Sequence, residues 1–308
     1  MNSKSCIICG SKSIEFFSEL RDYRLNDKKN KFQYYRCKKC GLIFQYPQLS
    51  FEEMNVYYDQ NTPLNNFPTK GIKKFLLEYG FTKRAKVILN LQKNGYLLDI
   101  GCGSGDFMIF MSNHSKFNIS CTEINHASVY KLKHSYGINA KQGILEEIRF
   151  PNDQFNIITM WDVIEHIQNP NEILSEIRRI LKPNGYLIIR IPNGNSMDFK
   201  LFGKYWAGLD APRHYYVFTI DAIMKLLSNN CFKVKSKQTN IGGYLNFINS
   251  LSFWFADIKL GSNKKVFILD SLRKIIPQFL FFPSIWLKNH LFQGTSLTIV
   301  AQLKNSQK

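Results

Sequence analysis

Four cysteines stand in two pairs near the start of the chain. They are Cys6-Ile7-Ile8-Cys9 and Cys37-Lys38-Lys39-Cys40, and each pair is followed by a glycine, Gly10 and Gly41. A glycine after the second thiol lets the main chain fold back tightly. Two such knuckles supply four thiolates, the number that closes a tetrahedral zinc shell with no open position. A metal held by Cys6, Cys9, Cys37 and Cys40 would therefore be structural rather than catalytic. So small a segment holds little core of its own, and metal binding would supply its folding free energy. Four unrelated thiols, or a redox dithiol needing one pair only, are the alternatives.

A second group of residues begins with Asp99. The run from Tyr96 to Ile100 is a short apolar strand leading into Gly101, Cys102, Gly103, Ser104 and Gly105, and a helix is predicted from about Asp106. Strand, glycine turn and helix make the cofactor-binding end of a doubly wound sheet. The pattern is D-x-G-x-G-x-G. In the dinucleotide fingerprint the third glycine would fall at position 106, which is Asp106, so a nicotinamide enzyme is disfavoured. Asp99 has the wrong sign to sit beside a pyrophosphate but suits a ligand ammonium group. The next strand, 117–122, ends at Glu123, where a carboxylate can accept bonds from two ribose hydroxyls. After a further strand near 139–142, Ile144 and Leu145 could flank an adenine ring.

The third group lies at the carboxyl end of the apolar strand 155–160: Asp162, Glu165 and His166. Open α/β sheets place ligands at that end. A histidine of ordinary pKa near 6.5 suits proton removal from an acceptor hydroxyl or acidic carbon, and Glu165 could orient it or face away. The plainer reading is that His166 packs over the cofactor or caps a backbone group. The stretch from Tyr205 to Tyr216 adds Trp206, Asp210, Pro212, Arg213 and His214, in a loop after a strand. It reads either as an acceptor pocket, with His214 a further candidate base, or as an aromatic satellite core with surface charges.

Over roughly residues 75–240 the chain resembles class I S-adenosylmethionine-dependent methyltransferases. The matching segments are LDIGCGSG at 98–105, Glu123, FNIITMWDVIEHI at 155–167 and IRRILKPNGYLIIRIPN at 177–193. The resemblance implies that Asp99, Gly101, Cys102, Gly103 and Gly105 hold the methionine moiety and Glu123 the ribose, with Ile124 beside it. It also implies that Ile144 and Leu145 line the adenine, and that Trp161 and Asp162 lie beside the methionine end. Position 144 departs from the family, where an acidic residue is common; Ile144 cannot bond the adenine amine. The Glu165-His166 pair resembles that of quinone-precursor O-methyltransferases. Trp206, Pro212 and His214 match a W-x-x-x-x-x-P-x-H stretch in zinc-ribbon methyltransferases of bacterial surface-glycan and secondary-metabolite clusters.

The elements that must position these residues follow from periodicity. The segment 10–36 alternates around Phe32, Tyr34 and Tyr35 and reads as a zinc-ribbon-like hairpin, so residues 1–46 form the module. Residues 47–74, with Pro47, Pro63 and Pro68, read as a linker that could cover the cofactor, with Tyr57 and Tyr58 leading towards the site. Residues 75–308 form the methyltransferase domain, an α/β Rossmann-like doubly wound sheet. Its first helix is predicted to end at Gly95. A helix with Asn169 as cap and Pro170 first carries the stripe Ile173, Leu174, Ile177, Ile180 and Leu181. Lys182 to Gly185 ends that helix, and the strand 186–191 follows.

Late strands near 232–237 and 295–302 bracket an apolar helical insertion at about 244–292. Residues 275–287 carry no charge between Lys274 and Lys288. Thirteen residues cannot span a bilayer, which needs roughly 20. They read as an element lying on a membrane surface, a lid, or a dimer contact. Seven cysteines without a secretory leader indicate a reducing, cytoplasmic setting, with the inner membrane face as a peripheral location.

The leading function is methyl transfer to a small-molecule or glycan acceptor, including a nucleotide- or lipid-linked sugar, with S-adenosylmethionine as cofactor and structural zinc. The net charge of +18 keeps a zinc-module ribosomal RNA methyltransferase in view, although the basic residues form no arginine-rich block. A non-catalytic scaffold with this fold is the third reading.

Overall fold

The computed structural model describes residues 4–58, 71–240, 243–258, 269, 271–272 and 293–304. The stretch 275–287, read above as a membrane-surface, lid or dimer element, lies outside the described residues, as does the part of the linker at 59–70.

The N-terminal part contains β1 (Ile14–Leu20), β2 (Phe32–Cys37), β3 (Ile43–Gln45) and the short α1 (Phe51–Asn55). Ser50 caps α1: its hydroxyl accepts from the Glu53 N–H, and the Glu53 carboxylate accepts from the Ser50 N–H. Then follow α2 (Gly71–Leu91), β4 (Asn94–Ile100), α3 (Asp106–His114), β5 (Lys116–Glu123), α4 (His126–Tyr136) and β6 (Asn139–Gln142). Next come α5 (Leu145–Ile148), β7 (Phe155–Trp161), a 3₁₀ turn at Ile164–His166, α6 (Pro170–Ile180) and β8 (Leu181–Pro192). The chain continues through α7 (Met197–Phe202), two further 3₁₀ turns, β9 (Tyr216–Val217), α8 (Ile220–Asn229), β10 (Phe232–Asn240), α9 (Gly243–Asp257) and β11 (Ser296–Leu303).

The large sheet has seven strands in the order β10-β11-β8-β7-β4-β5-β6. β6, β5, β4, β7 and β8 run parallel, and β11 is antiparallel to both its neighbours. The chain starts this sheet at β4, moves outward to β6, then returns to the other side of β4 with β7. The crevice at the carboxyl ends of β4 and β7 is thus the switch point, where open α/β sheets take their ligands. Helix α6 shows why: its stripe Ile173, Leu174, Ile177 and Ile180 is buried, while Arg178 and Arg179 sit at its last turn, favourable to the helix dipole.

Some local expectations need correction. The first helix ends at Leu91, and Gly95 lies inside β4 instead, at φ 117, where a Cβ would stand 2.6 Å from Asn156 Oδ1. Asn169 makes no side-chain cap, although Pro170 does open α6. Lys182 to Gly185 belongs to β8 as a bulged stretch, Asn184 taking φ 63, and Leu181 is already strand. The Tyr205–Tyr216 stretch follows a helix rather than a strand, and it ends in β9.

The second sheet, β1-β2-β3-β9, joins the cysteine segment to the rest of the chain. Ile43 pairs with Val217 and Phe44 with Tyr216. The core does not stop at residue 46 either. Cys6, Ile8, Cys37, Leu42 and Phe44 share a cluster with Ile223, Leu226 and Leu227 of α8 and with the strands of the large sheet. The described part of the insertion, α9, lies against both parts. The Ala207 N–H donates to Ser250 Oγ at 2.9 Å, and Asp257 accepts from Arg21 and Tyr23, each at 2.7 Å.

Candidate functional site

At the end of β4, the Gly101 and Cys102 N–H groups both donate to the Thr122 carbonyl on β5, at 2.9 and 3.1 Å. This folds the glycine turn across the sheet. Gly101, Gly103 and Gly105 all take positive φ. A Cβ at Gly101 or Gly105 would collide with Val163 or Leu132, whereas one at Gly103 meets nothing within 4 Å, so open space lies over the middle of the turn. Glu123 Oε2 accepts from the Gly103 N–H at 2.7 Å, and Oε1 accepts from the Ile124 and Asn125 N–H groups at 2.9 and 3.0 Å. Oε1 thus has both lone pairs engaged, and Oε2 keeps one for a further donor.

Asp99 is 3% exposed and accepts from Thr159 Oγ1 at 2.5 Å. Burial pushes its carboxyl up to about 7, against the Thr159 bond and the Arg84 charge, which favour ionisation. Cys102 is half-buried; a hydrogen bond with the Cys121 thiol, together with burial, pushes its pKa well up, so it is no thiolate. Trp161 and Asp162 lie at the neighbouring strand end. Among the described residues the Trp161 indole N–H is buried without a hydrogen-bond partner, and Asp162 pairs with Arg190 through both carboxylate oxygens. Of the two proposed adenine-flanking residues, Ile144 is exposed at 44% and Leu145 is packed in the core.

Arg84 went unnoticed in the sequence. Its guanidinium lies 5.2 Å from the Trp161 ring centre, and burial lowers its pKa to about 10, with Arg190 adding to the effect. The signal was present: Phe81, Ala85 and Ile88 form the buried stripe of α2, and Arg84 is a charge set into that stripe. The site thus offers an ammonium-sized carboxylate, a carboxylate for hydroxyls, a cation, an orphaned N–H and an open glycine cradle. This donor set fits S-adenosylmethionine.

One turn beyond Asp162 is the second cluster. Glu165 is fully buried, and neither carboxylate oxygen has a partner outside its own residue. Its carboxyl is pushed well above the usual range by burial and then by Asp162. His166 Nδ1 lies 2.9 Å from the Arg213 carbonyl and 3.0 Å from Tyr58 Oη. A carbonyl can only accept, which assigns the proton to Nδ1 and leaves the Nε2 lone pair free. Burial, and then the neighbouring His214, push His166 down to about 3, so the ring is neutral. His214 follows the same logic: Nδ1 is 2.9 Å from the Gly208 carbonyl, and burial lowers its pKa. The two rings stand edge to face at 4.5 Å, and one donor atom from each of Glu165, His166 and His214 lies within 4.8 Å of the other two.

The loop carrying His214 is a satellite core only in part. Trp206 is buried there with Phe199, but the charges are not at the surface. Arg213 donates to Asp22 through Nη1 and Nη2 at 2.7 and 3.0 Å, to Asp210 through Nε and Nη2 at 3.1 and 2.8 Å, and to the Tyr57 carbonyl at 3.1 Å. Asp22, in the β1–β2 connection, carried no sequence signal. Away from this site, the four cysteine sulfurs lie within 4.8 Å of one another, with Cys6–Cys40 at 3.6 Å and Cys9–Cys37 at 3.5 Å.

A family profile described as a methyltransferase domain matches residues 61–237, more than half of the chain. The chain belongs to that methyltransferase family. It is a class I S-adenosylmethionine-dependent methyltransferase by sequence and by its seven-stranded sheet. Curated relatives agree. A demethylmenaquinone methyltransferase of Lactobacillus johnsonii is 24% identical over 235 residues, 70% of this chain and 92% of the relative. A ubiquinone biosynthesis O-methyltransferase of Rickettsia typhi is 30% identical over 113 residues, 35% of this chain and 44% of the relative. Among solved structures, the [4+2]-cyclase SpnF superposes with a TM-score of 0.56 at 13% identity, over 84% of this chain and 98% of its own. That likeness shows the fold alone. Among the described residues of the methyltransferase, no helix is long and apolar enough to cross a membrane.

Proposed function

We propose that this methyltransferase acts on a small-molecule or glycan acceptor, with His166 as general base. S-adenosylmethionine, when bound, supplies an electrophilic methyl group on a sulfonium. Asp99 would hold the cofactor's ammonium group, Arg84 its carboxylate and Glu123 its ribose hydroxyls, and Ile144 would border its adenine. The Gly101–Gly105 turn lets the backbone approach it. The acceptor's nucleophilic atom bonds to the methyl carbon as the carbon–sulfur bond breaks, and the acceptor's proton passes to His166 Nε2. In-line positioning supplies most of the rate, and the base adds its share.

The observation that carries this reading is the His166–His214–Glu165 group, whose donor atoms lie within 4.8 Å of one another, one turn from Trp161 and Asp162. The hydrogen bond from Nδ1 to the Arg213 carbonyl leaves the Nε2 lone pair of His166 open to a proton. The quinone-type relatives also act in pathways of small molecules by their names. The four cysteines fit a structural zinc ion.

The test uses methyl-labelled S-adenosylmethionine with pure protein and separated cell fractions: soluble sugar nucleotides, lipid-linked glycans, quinone precursors, protein and RNA. Label in a small-molecule, sugar or lipid fraction supports the reading and names the acceptor class. Label in RNA alone overturns it. His166→Ala should then lower turnover about a hundredfold or more on the identified acceptor.

A further inference from the structure

Asp22 lies in the cysteine segment, far along the chain from the methyltransferase core, yet it is 0% exposed and shares two hydrogen bonds with Arg213. Asp22 Oδ1 also accepts from the Arg24 and Leu25 N–H groups at 2.8 and 2.9 Å, which fixes the carboxylate on its own loop. Arg213 in turn offers its main-chain carbonyl to His166 Nδ1 at 2.9 Å. A second link runs alongside: the fully buried Tyr34 on β2 donates its hydroxyl to the His214 carbonyl at 2.8 Å. His214 therefore stands on, and His166 hydrogen-bonds to, a loop whose backbone is clamped from the cysteine segment.

We infer that Asp22 is a positioning residue for methyl transfer: by holding Arg213, it fixes the carbonyl that sets the His166 tautomer and ring angle. The inference rests on the reading of His166 as the base and deepens it, because it makes the cysteine segment part of the catalytic apparatus rather than an appended tag. The physical case is one of directional bonding. Arg213 is held by carboxylates on two sides, Asp22 and Asp210, and an arginine gripped through two parallel bonds is fixed in plane as well as in place. Without the Asp22 carboxylate, a buried guanidinium loses one of its two carboxylate partners. The main chain at 213 is then free to rotate its carbonyl away from His166. The imidazole loses the bond that leaves its Nε2 lone pair towards the acceptor, and solvent reaches a ring that burial had kept neutral.

The experiment is a double-mutant cycle of Asp22→Asn and His166→Ala on the full chain with the identified acceptor, reading kcat, acceptor KM, S-adenosylhomocysteine affinity and metal content. Asp22→Asn alone should lower kcat about tenfold or more, with cofactor affinity and metal content unchanged. The acid limb of its kcat–pH profile should move upward by at least about one unit, since a solvated imidazole returns towards its ordinary pKa. In the His166→Ala background, Asp22→Asn should cost nothing further. An unchanged kcat, or a loss that adds in full to that of His166→Ala, would overturn the inference. If His166→Ala itself leaves turnover intact, the base reading falls, and the two failures are told apart. Should Asp22→Asn not fold, judged by lost cofactor binding, the same cycle is run with Tyr34→Phe, which removes one hydroxyl. There again a kcat loss absorbed in the His166→Ala background supports the clamp, and full additivity or no loss sinks it.

Discussion

Asp99 carries a carboxylate into a place with little to offer a charge. Burial lifts its pKa to about 7, so in the free enzyme it is largely protonated at pH 6 and largely ionised at pH 8. The folded value lies above the unfolded one. The free enzyme therefore loses stability as pH rises from about 4 through 7, because the folded state must give up a proton it holds better than the unfolded chain does. A cofactor ammonium prefers the ionised form, so S-adenosylhomocysteine affinity should weaken by up to about tenfold per pH unit below 7 and level off above it. Calorimetric titration across pH 5.5–8.5 checks this, and Asp99→Asn should flatten the profile. Glu123 makes a simpler forecast. Glu123→Ala should weaken the same affinity by about 1–3 kcal/mol, through lost ribose bonds and a loosened Gly103, and unchanged binding would remove it from the site.

These residues were legible in the sequence because their meaning is local: a carboxylate at a strand end followed by glycines has few other uses. Arg84 and Asp22 were hidden for the opposite reason. Each has its function set by partners brought in by the fold, Trp161 in one case and Arg213 in the other. Only the charge inside an apolar helical stripe hinted at Arg84.

At the scale of elements, the parallel strands were readable from their apolar runs, and α6 from its stripe. What escaped was geometry made by pairing. β9 is two residues long, too short for any periodicity, and exists because β3 offers it an edge. Gly95 looked like a helix stop, and its real task is to let β4 pass the Asn156 side chain. The seam around β9 also ties the cysteines to the acceptor loop, since Thr219 Oγ1 caps α8 by accepting from the Ala222 N–H and donates to the Cys40 carbonyl at 2.6 Å. Cys37→Ser should therefore do more than release zinc. Metal content by mass spectrometry should fall and limited proteolysis should open residues 4–46, while methyl transfer falls with them. Full metal content in this variant would refute the four-cysteine site.

For the whole molecule, the two ends of the reaction sit on different supports. Asp99, Gly103 and Glu123 are held by β4 and β5, deep in the large sheet, whereas His166 and His214 lean on the cysteine segment. A chain lacking residues 1–46 should still bind S-adenosylhomocysteine within about tenfold of the full protein while losing nearly all turnover. Equal loss of both would mean that the segment is needed for the fold as a whole. The charge of +18 is a property at this same scale, its basic residues spread along the sequence with no arginine-rich block. Salt should therefore affect acceptor KM far less steeply than it would for a nucleic-acid substrate, whose binding falls by orders of magnitude between 50 and 200 mM.

The pairing of β3 with β9 has a consequence for how the protein is made. Ile43 leaves the ribosome long before Val217 exists, and at roughly 5–20 residues per second the wait is about 10–30 s. Through that interval the growing chain shows an open strand edge, with Ile43 and Phe44 unpaired, in a form prone to stick to its neighbours. The metal capture proposed for the four cysteines needs only residues already synthesised. Zinc supply during translation should therefore govern how much of the nascent chain reaches the native state, and starving a producing cell of zinc should send newly made protein into aggregates while leaving the finished enzyme untouched.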